Sequence, residues 1–257
     1  MQKHFSLGIC AFATVMLGSV AQAADLPVKA PAPPAPVYSW TGCYIGAGGG
    51  YGMWNQDVVA LDTITGPFSA RQTGGGRGWF GTAQVGCDYQ LSSNWVIGAF
   101  ADWDFMNIKG NPHFTEDSVG NEKEKWAWSV GGRIGYVIAP QVLTYFSGGF
   151  REAHFNQVNL FDEFLPSTSL NHFVPAHTYT GWFVGGGYEY GLSWFPGLFW
   201  KTEYRYALFS TGRLIERVGT TGLATTTAFD AKKFEQTIRT ELVWRFNWGG
   251  GPVRAAY

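Results

Sequence analysis

The chain has 257 residues, of which 46% are hydrophobic and only 14% charged. Its 18 Lys and Arg against 19 Asp and Glu give a formal net charge of −1, which excludes the basic footprint of a nucleic-acid-binding protein and argues against a polyanionic partner. Thirty-five Gly with 12 Trp, 12 Tyr and 20 Phe favour aromatic-rich strands over helices, and past the N-terminus no apolar run is long enough for a spanning helix.

The N-terminus has the pattern of an export signal. An apolar run over residues 5–20 is followed by Ala21-Gln22-Ala23, a small-x-small cleavage site. We therefore predict a signal peptide over residues 1–23; a retained anchor is the alternative, but the run is short for a span. Residues 24–38 are rich in Ala and Pro, which favours extended chain. We interpret them as a periplasmic spacer, with a segment that docks on the cell wall or a partner as the alternative.

Period-two alternation predicts eight strands over the rest of the chain. They run over residues 40–54, 79–91, 95–106, 126–139, 142–155, 179–190, 198–208 and 234–248. Three gaps are short turns, and four are long, polar loops, over residues 55–78, 107–125, 156–178 and 209–233. Short turns at one rim, long loops at the other and an even strand count are typical of an outer-membrane barrel. The predicted domains are thus the signal peptide, the spacer, a barrel over residues 39–248 and a C-terminal tail over residues 249–257.

The last predicted strand indicates which of its faces is turned to lipid and which to the lumen. Ile238, Leu242 and Trp244 alternate with Arg239 and Glu241, so a strand sorts them onto opposite faces. A soluble sandwich would turn the apolar face inward, but such aromatic weighting along an exported chain favours apolar residues facing lipid and charges facing a lumen. The predicted fold class is all-β, a transmembrane eight-stranded antiparallel up-and-down β-barrel. Its last strand pairs with its first, because an open edge in hydrocarbon leaves backbone groups unsatisfied.

The charged residues of several strands share the lumen-facing parity. An eight-stranded interior is only wide enough to be filled by side chains, so we expect these charges to pair in a structural network. A narrow, charge-lined conduction path is the alternative. The parity of the strand over residues 142–155 stays open, since neither of its faces is cleanly apolar. The predicted network comprises Asp88, Asp102, Asp104, Arg133, Glu189, Lys201, Glu203, Arg205, Arg239 and Glu241.

Two cysteines remain after removal of the signal peptide. Cys43 and Cys87 fall on adjacent predicted strands with the same lipid-facing parity. A disulfide is geometrically possible there, and an oxidising periplasm permits it. Two unbonded, small apolar side chains under lipid are the alternative.

The sequence offers little catalytic signal. Residues 76–81 match GxGxxG but open an alternating strand, so the strand-turn-helix context of a dinucleotide site is missing. A set of possible ligands or catalytic groups lies on or beside the third long loop, yet its spacing fits no metal motif. We therefore predict no catalytic residue, no metal and no cofactor, and keep an outer-membrane enzyme as the least favoured class. The set is His154, His172, His177, Asp162 and Glu163.

Several short motifs, in this order, resemble the small outer-membrane barrels of alphaproteobacteria, the porin-family surface antigens of rhizobia and brucellae. These are similar in turn to the OmpA-type membrane domain and the opacity proteins. The motifs include Trp40-Thr41-Gly42-Cys43-Tyr44-Ile45-Gly46, Gly132-Arg133-Ile134-Gly135-Tyr136, Gly185-Gly186-Gly187-Tyr188-Glu189-Tyr190 and Lys201-Thr202-Glu203-Tyr204.

The resemblance implies insertion by the outer-membrane assembly machinery and a role in envelope integrity and surface contact more than in bulk solute flow. We expect a monomer whose partners are outer-membrane lipid and lipopolysaccharide, with a small-solute porin as the alternative. The chain departs from the family pattern at Cys43 and Cys87, where such proteins often have aromatics, and this departure favours the disulfide. The chain also continues past its last strand, so we assign the assembly signal to the aromatics Trp244, Phe246 and Trp248, with Tyr257 as the alternative terminal aromatic.

Overall fold

The computed structural model describes residues 39–115, 118–162 and 169–246. The predicted signal peptide, spacer and C-terminal tail, and Trp248, lie outside these residues, as does Glu163. In the described part of the chain, no helix has the length and hydropathy needed to cross a bilayer.

Thirteen strands form one antiparallel sheet in the described residues. They are β1 (Gly42–Asp62), β2 (Gly66–Pro67), β3 (Gln72–Gln90), β4 (Trp95–Asn111), β5 (Ser118–Val119), β6 (Glu122–Ala139), β7 (Val142–Phe155), β8 (Val158–Asp162), β9 (Ser169–Val174), β10 (His177–Gly191), β11 (Leu198–Phe209), β12 (Gly212–Val218) and β13 (Ala224–Phe246).

Eight of these strands pair in a closed cycle, β1-β3-β4-β6-β7-β10-β11-β13, because β13 pairs back onto β1. We call this cycle the ring. Following directly opposed residues from Ile45 once around the ring leads to Asn55, ten residues further along β1. Such a stagger requires strands tilted to the ring axis. Cys43 lies opposite Phe246, so the first and last strands leave no edge unpaired at that end.

The eight predicted strands coincide with the ring strands, and the strand Val142–Phe155 has the predicted bounds, but several other boundaries at the long-loop end were wrong. β1 runs on to Asp62, β3 begins at Gln72 and β13 begins at Ala224. The predicted loops also contain the five short strands β2, β5, β8, β9 and β12. The polar composition of these segments predicts loops. Their backbones nevertheless keep pairing, because alternate residues such as Val58 and Phe229 still bury apolar side chains.

The outward-facing aromatics Tyr51, Trp79, Trp126 and Trp182 mark a boundary along the ring strands. We call the part beyond them, together with β2, β5, β8, β9 and β12, the extension; the part before them is the belt. The extension has an apolar interior, in which the ring of Phe114 lies 4.8 Å from that of Phe229. Its buried members include Val58, Ala60, Phe114, Val158, Leu160, Val174, Leu214, Phe229 and Ala231.

The parity of β7, which the sequence left open, is fixed by its neighbours. Arg151 is buried inside the ring, whereas Phe146 and Phe150 face outward and are exposed. Gly149 lies opposite Gly131 across the β6–β7 ladder, and any side chain at Gly149 would strike the β6 backbone. The two glycines let the strands approach each other closely at this point.

Candidate functional site: a buried ionic column

The belt sorts its side chains in the sense predicted from the last strand. Leu242 and Trp244 are 47% and 48% exposed on the outside, whereas Arg239 and Glu241 inside are 1% and 2% exposed. The interior is therefore a column of charged side chains. Four layers of contacts follow one another from the short-turn end of the ring to the extension.

The first layer is a closed circuit of two cations and two anions. Arg133 donates to Asp88 through Nε at 2.9 Å and to Glu189 through Nη1 at 2.5 Å. Arg245 donates to the same two carboxylates, at 2.7 Å and 2.5 Å. Each charge thus has two partners of opposite sign, the arrangement that offsets the cost of desolvating buried ions.

Aromatic rings surround this circuit. The guanidinium carbon of Arg245 lies 4.8 Å from the centre of the Trp40 ring and 5.3 Å from that of Phe199. Arg133 lies 4.8 Å from the Tyr44 ring and 5.0 Å from the Tyr145 ring. These rings exclude water while offering their negative faces to the cations, so they close the column at the short-turn end.

The second layer is built on Lys201 and Arg205, two residues of the same face of β11. Lys201 Nζ donates to Gln84 at 2.6 Å and lies 3.2 Å from Glu203 and 3.4 Å from Glu241. Arg205 donates to Glu203 at 2.8 Å and to Asp102 at 2.7 Å.

Arg205 is also held between two rings. Its guanidinium carbon lies 5.0 Å from the Phe100 ring centre and 4.7 Å from that of Phe183. Ser147 adds a hydroxyl that donates to Glu203 at 2.6 Å. The second layer therefore fills the width of the ring with contacts from β3, β4, β7, β10, β11 and β13.

The third layer shares Asp104 between two arginines. Arg239 donates to Asp104 at 2.9 Å and lies 3.4 Å from Asp102, which connects it to the second layer. Arg151, on the other side of the layer, donates to Asp104 at 2.9 Å and to both carboxylate oxygens of Glu235 at 2.8 Å.

The fourth layer lies where the belt meets the extension. Lys233 Nζ donates to Glu122 at 2.7 Å and to Gln56, whose amide donates to the Pro112 carbonyl at 3.0 Å. The ammonium lies 4.1 Å from the Phe155 ring centre and 4.3 Å from that of Trp54. Charge and aromatic contacts thus close the column at this end as well.

Glycines in the ring strands leave room for the long charged side chains of the column. A Cβ at Gly98 would clash with the Asp88 carboxylate, and one at Gly185 would lie 2.9 Å from Cγ of Arg205. Alanine at Gly98 would displace the Asp88 carboxylate, and alanine at Gly185 would also crowd the Ser147 hydroxyl and the Tyr204 carbonyl. Glycine is needed at these strand positions because a long neighbouring side chain occupies the space of its missing side chain.

The structure brings all ten residues of the predicted network into this column. It adds six charged residues that the prediction missed: Glu122, Glu124, Arg151, Lys233, Glu235 and Arg245. Arg245 continues the parity of Arg239 and Glu241, so alternation alone could have included it. Lys233, Glu122 and Glu124 fell in predicted loops, and Arg151 in the strand of open parity.

Cys43 and Cys87 lie directly opposite each other in the β1–β3 ladder, on the outer face. The structure joins them by a disulfide with an S–S distance of 2.04 Å. The bond ties the first strand to its neighbour across 44 residues of sequence.

The histidines singled out for an enzyme each contact a different partner. His154 faces outward and stacks on Trp126, with ring centres 5.0 Å apart, while His172 lies 3.1 Å from a carboxylate oxygen of Glu216. His177 packs against Tyr179. Among the described residues, no three His, Cys, Asp or Glu side chains are grouped as a metal site. The GxGxxG match over residues 76–81 lies inside β3, not at a strand-to-helix turn.

Of the predicted assembly signal, Trp244 and Phe246 are described. Trp244 faces outward, and its ring centre lies 5.0 Å from that of Phe246.

The turn after β1 shows how charges are treated outside the belt. Asp62 accepts hydrogen bonds from the backbone N–H groups of Ile64 and Thr65. Hydrogen bonds from the Thr226 side chain and from these amides lower the pKa of Asp62 to about 2. The carboxylate therefore stays ionised and fixes the turn through hydrogen bonds, with no ion pair to any residue that the structure describes.

Apolar side chains outside, ions inside and an all-antiparallel closed ring define the class of outer-membrane β-barrel proteins. The family comparison agrees with the geometry. The chain belongs to the outer membrane protein beta-barrel domain family, whose model matches residues 10–250. It is an outer-membrane protein.

Two curated relatives carry similar descriptions. The 31 kDa outer-membrane immunogenic protein of Brucella melitensis is 29% identical over 223 residues, covering 81% of this chain and 89% of the relative. The 25 kDa outer-membrane immunogenic protein of Brucella ovis is 27% identical over 224 residues, covering 81% of this chain and 92% of the relative. These relatives support the resemblance to alphaproteobacterial surface antigens.

Among solved structures, the outer membrane protein OprG from Pseudomonas aeruginosa superposes with a TM-score of 0.56 at 11% identity. The match covers 82% of this chain and 98% of OprG. At this identity the likeness shows a shared fold alone. None of the three proteins has a name that describes an enzyme.

Proposed function

We propose that the ring is a transmembrane eight-stranded barrel that acts as a closed structural element of the outer membrane and holds the extension at the cell surface. One observation carries the proposal: the ionic column fills the barrel from Arg245 at one end to Lys233 at the other, with contacts in every layer.

The column argues for a plug more than for a pore. A solute path would have to separate pairs such as Arg205 and Asp102, whose side chains are 2% and 0% exposed. Leaving one member of such a pair unpaired in a dry interior costs about 3 to 5 kcal/mol. An eight-stranded barrel has no spare width in which the charges could rearrange around a passing solute.

The surface role is supported by the far end of the extension. Ile64, Phe68 and Leu223 are 81%, 59% and 67% exposed at its turns, where apolar side chains contribute nothing to the interior. Exposed apolar side chains on polar surroundings are suited to contact with other molecules. We infer that these turns supply the surface-interaction function, while the belt anchors them.

Conductance measurements test the proposal. Purified full-length protein in planar bilayers should give no stable openings, because ion pairs and hydrogen bonds span the interior in every layer of the column. The double variant Arg205→Ala, Asp102→Ala removes one buried pair and should give measurable openings if it folds, as judged by heat-modifiable gel mobility. Reproducible openings of the unmodified protein would instead support a small-solute porin.

A second arm tests the envelope role. Deletion of the gene should sensitise the cells to detergent, and the unmodified protein should restore resistance. A variant with the turn residues Ile64, Phe68 and Leu223 changed to Ser should restore detergent resistance equally well, because the belt is intact. If deletion leaves detergent resistance unchanged, the structural role is wrong.

A further inference from the structure

Four basic residues form a row on the outer face of the ring at the start of the extension. Arg77 of β3 lies directly opposite Lys109 of β4, and Lys109 lies directly opposite Lys123 of β6. Lys125 follows two residues along β6. Arg77, Lys109 and Lys125 are exposed, and Lys123 is half-buried. We call these four residues the cationic row.

The register makes this row unfavourable by itself. Side chains directly opposite in an antiparallel ladder have Cβ atoms about 4.5 to 5.5 Å apart, and like charges at that spacing destabilise the sheet. Within the described residues, no ion pair at 4.0 Å or less involves any of the four. By contrast, Arg71 and Arg213, elsewhere in the extension, each have a carboxylate partner.

The row also has a defined height. On β3, Trp79 lies two residues from Arg77 on the same outer face, on the side of the belt. On β6, Trp126 directly follows Lys125, again on the side of the belt. Trp126 is stacked between Trp103 and His154, with ring centres 5.3 Å and 5.0 Å away. Amphipathic aromatic side chains concentrate where a bilayer meets water. Basic side chains directly beyond such a belt therefore lie at the level of the lipid headgroups.

We propose that the cationic row binds the phosphate groups of a phosphorylated glycolipid, the lipopolysaccharide of the outer leaflet. Three adjacent cations with no carboxylate partner in the described part of the chain match a headgroup that carries more than one phosphate. The anion removes the mutual repulsion of Arg77, Lys109 and Lys123. The net charge of −1 argued against a polyanionic partner, but a whole-chain sum hides a local row on one face. The inference rests on the proposed function, because it requires the extension to lie outside the bilayer.

The test compares two double variants of the full chain in neutral detergent. Lys109→Gln with Lys123→Gln removes two directly opposed members of the row. Arg71→Gln with Arg217→Gln removes the same charge from exposed sites elsewhere in the extension. The probes are bisphosphorylated lipid A and the same lipid A after phosphatase treatment. For phosphorylated lipid A, the row variant should lose about tenfold or more in affinity, since a cation near an anionic headgroup contributes on the order of a factor of five.

The control variant should keep the affinity of the unmodified protein, and all three proteins should bind dephosphorylated lipid A equally weakly.

The temperature of thermal unfolding is an independent test of the repulsion within the row. Without lipid A, the row variant should unfold at a higher temperature than the unmodified protein, because the repulsion is gone; with phosphorylated lipid A, the order should reverse. Equal affinity of the row variant and the unmodified protein overturns the proposal, and so does an equal loss in both variants.

Failure here is distinguishable from failure of the proposed function. Lipid A binding is measured on purified protein and does not depend on conductance or on detergent resistance of cells. An unmodified protein that is silent in bilayers and protects cells, yet binds lipid A no better than the row variant, would leave the structural role intact and remove only the phosphate site.

Discussion

The belt and the extension are built from the same strands, yet they sort their side chains in opposite senses. On β13, the belt places Arg239 and Glu241 inside and Leu242 outside, whereas the extension places Phe229 and Ala231 inside and Asp230 outside. On this strand the alternation continues from Phe229 to Phe246, but its polarity inverts beyond Lys233, the cation of the fourth layer. The proposed position in the membrane accounts for the inversion, because hydrocarbon would then surround the belt and water the extension.

Two ion pairs make the comparison quantitative. Arg205 and Asp102 in the belt, and Arg213 and Asp230 in the extension, both approach to 2.7 Å. The first pair is almost fully buried, whereas the side chains of the second are 61% and 32% exposed. Hydrogen bonding from Arg213 lowers the pKa of Asp230, yet water screens the pair and competes for its donors. Equal distance therefore implies a much larger penalty for breaking the buried pair.

The largest expected effect tests this contrast directly. Arg133→Met removes one of the two cations in the first layer and leaves Asp88 and Glu189 to share Arg245. We expect a loss of about 3 to 5 kcal/mol in the free energy of unfolding, measured by urea titration in lipid vesicles with heat-modifiable gel mobility as the readout. The control, Arg213→Met, should unfold at the same urea concentration as the unmodified protein. Similar losses in both variants would contradict the difference between belt and extension.

The inverted sorting gives the next largest effect. Leu242→Arg puts a cation on the outer face of the belt and should cost about 2 to 4 kcal/mol near the bilayer midplane. Ile215→Arg puts the same cation on an exposed site of β12 and should cost less than about 0.5 kcal/mol. The same vesicle titration measures both. A tolerated Leu242→Arg would mean that this face does not meet lipid.

The disulfide should have the smallest of the three effects. Replacing Cys43 and Cys87 together by Ala removes a cross-link that closes a loop in the unfolded chain, and we expect a loss of about 2 kcal/mol, the low end of the usual range. The low end follows because backbone pairing holds β1 to β3 from Gly42 to Val58 even without the bond. The unmodified protein reduced under denaturing conditions should match the double variant. If the oxidised protein also matches it, the bond adds nothing to the stability of the belt.

The sequence by itself determined the features that depend on local periodicity. Alternation located all eight ring strands, and the parity of Arg239 and Glu241 against Leu242 indicated which face is ionic. These features are readable because a strand turns successive side chains to opposite faces whatever its partners are.

Only the tertiary structure decided which residues meet. Arg151 and Glu235 are 84 residues apart in sequence and pair because the closed ring brings β7 and β13 face to face across its interior. The direction of Arg151 was undecidable locally, since Gly148 and Gly149 give neither face of β7 an apolar signature. The extension was missed because polar strands in water resemble loops. Register, closure and stagger set these contacts, and they are properties of the whole ring, which no single stretch of sequence contains.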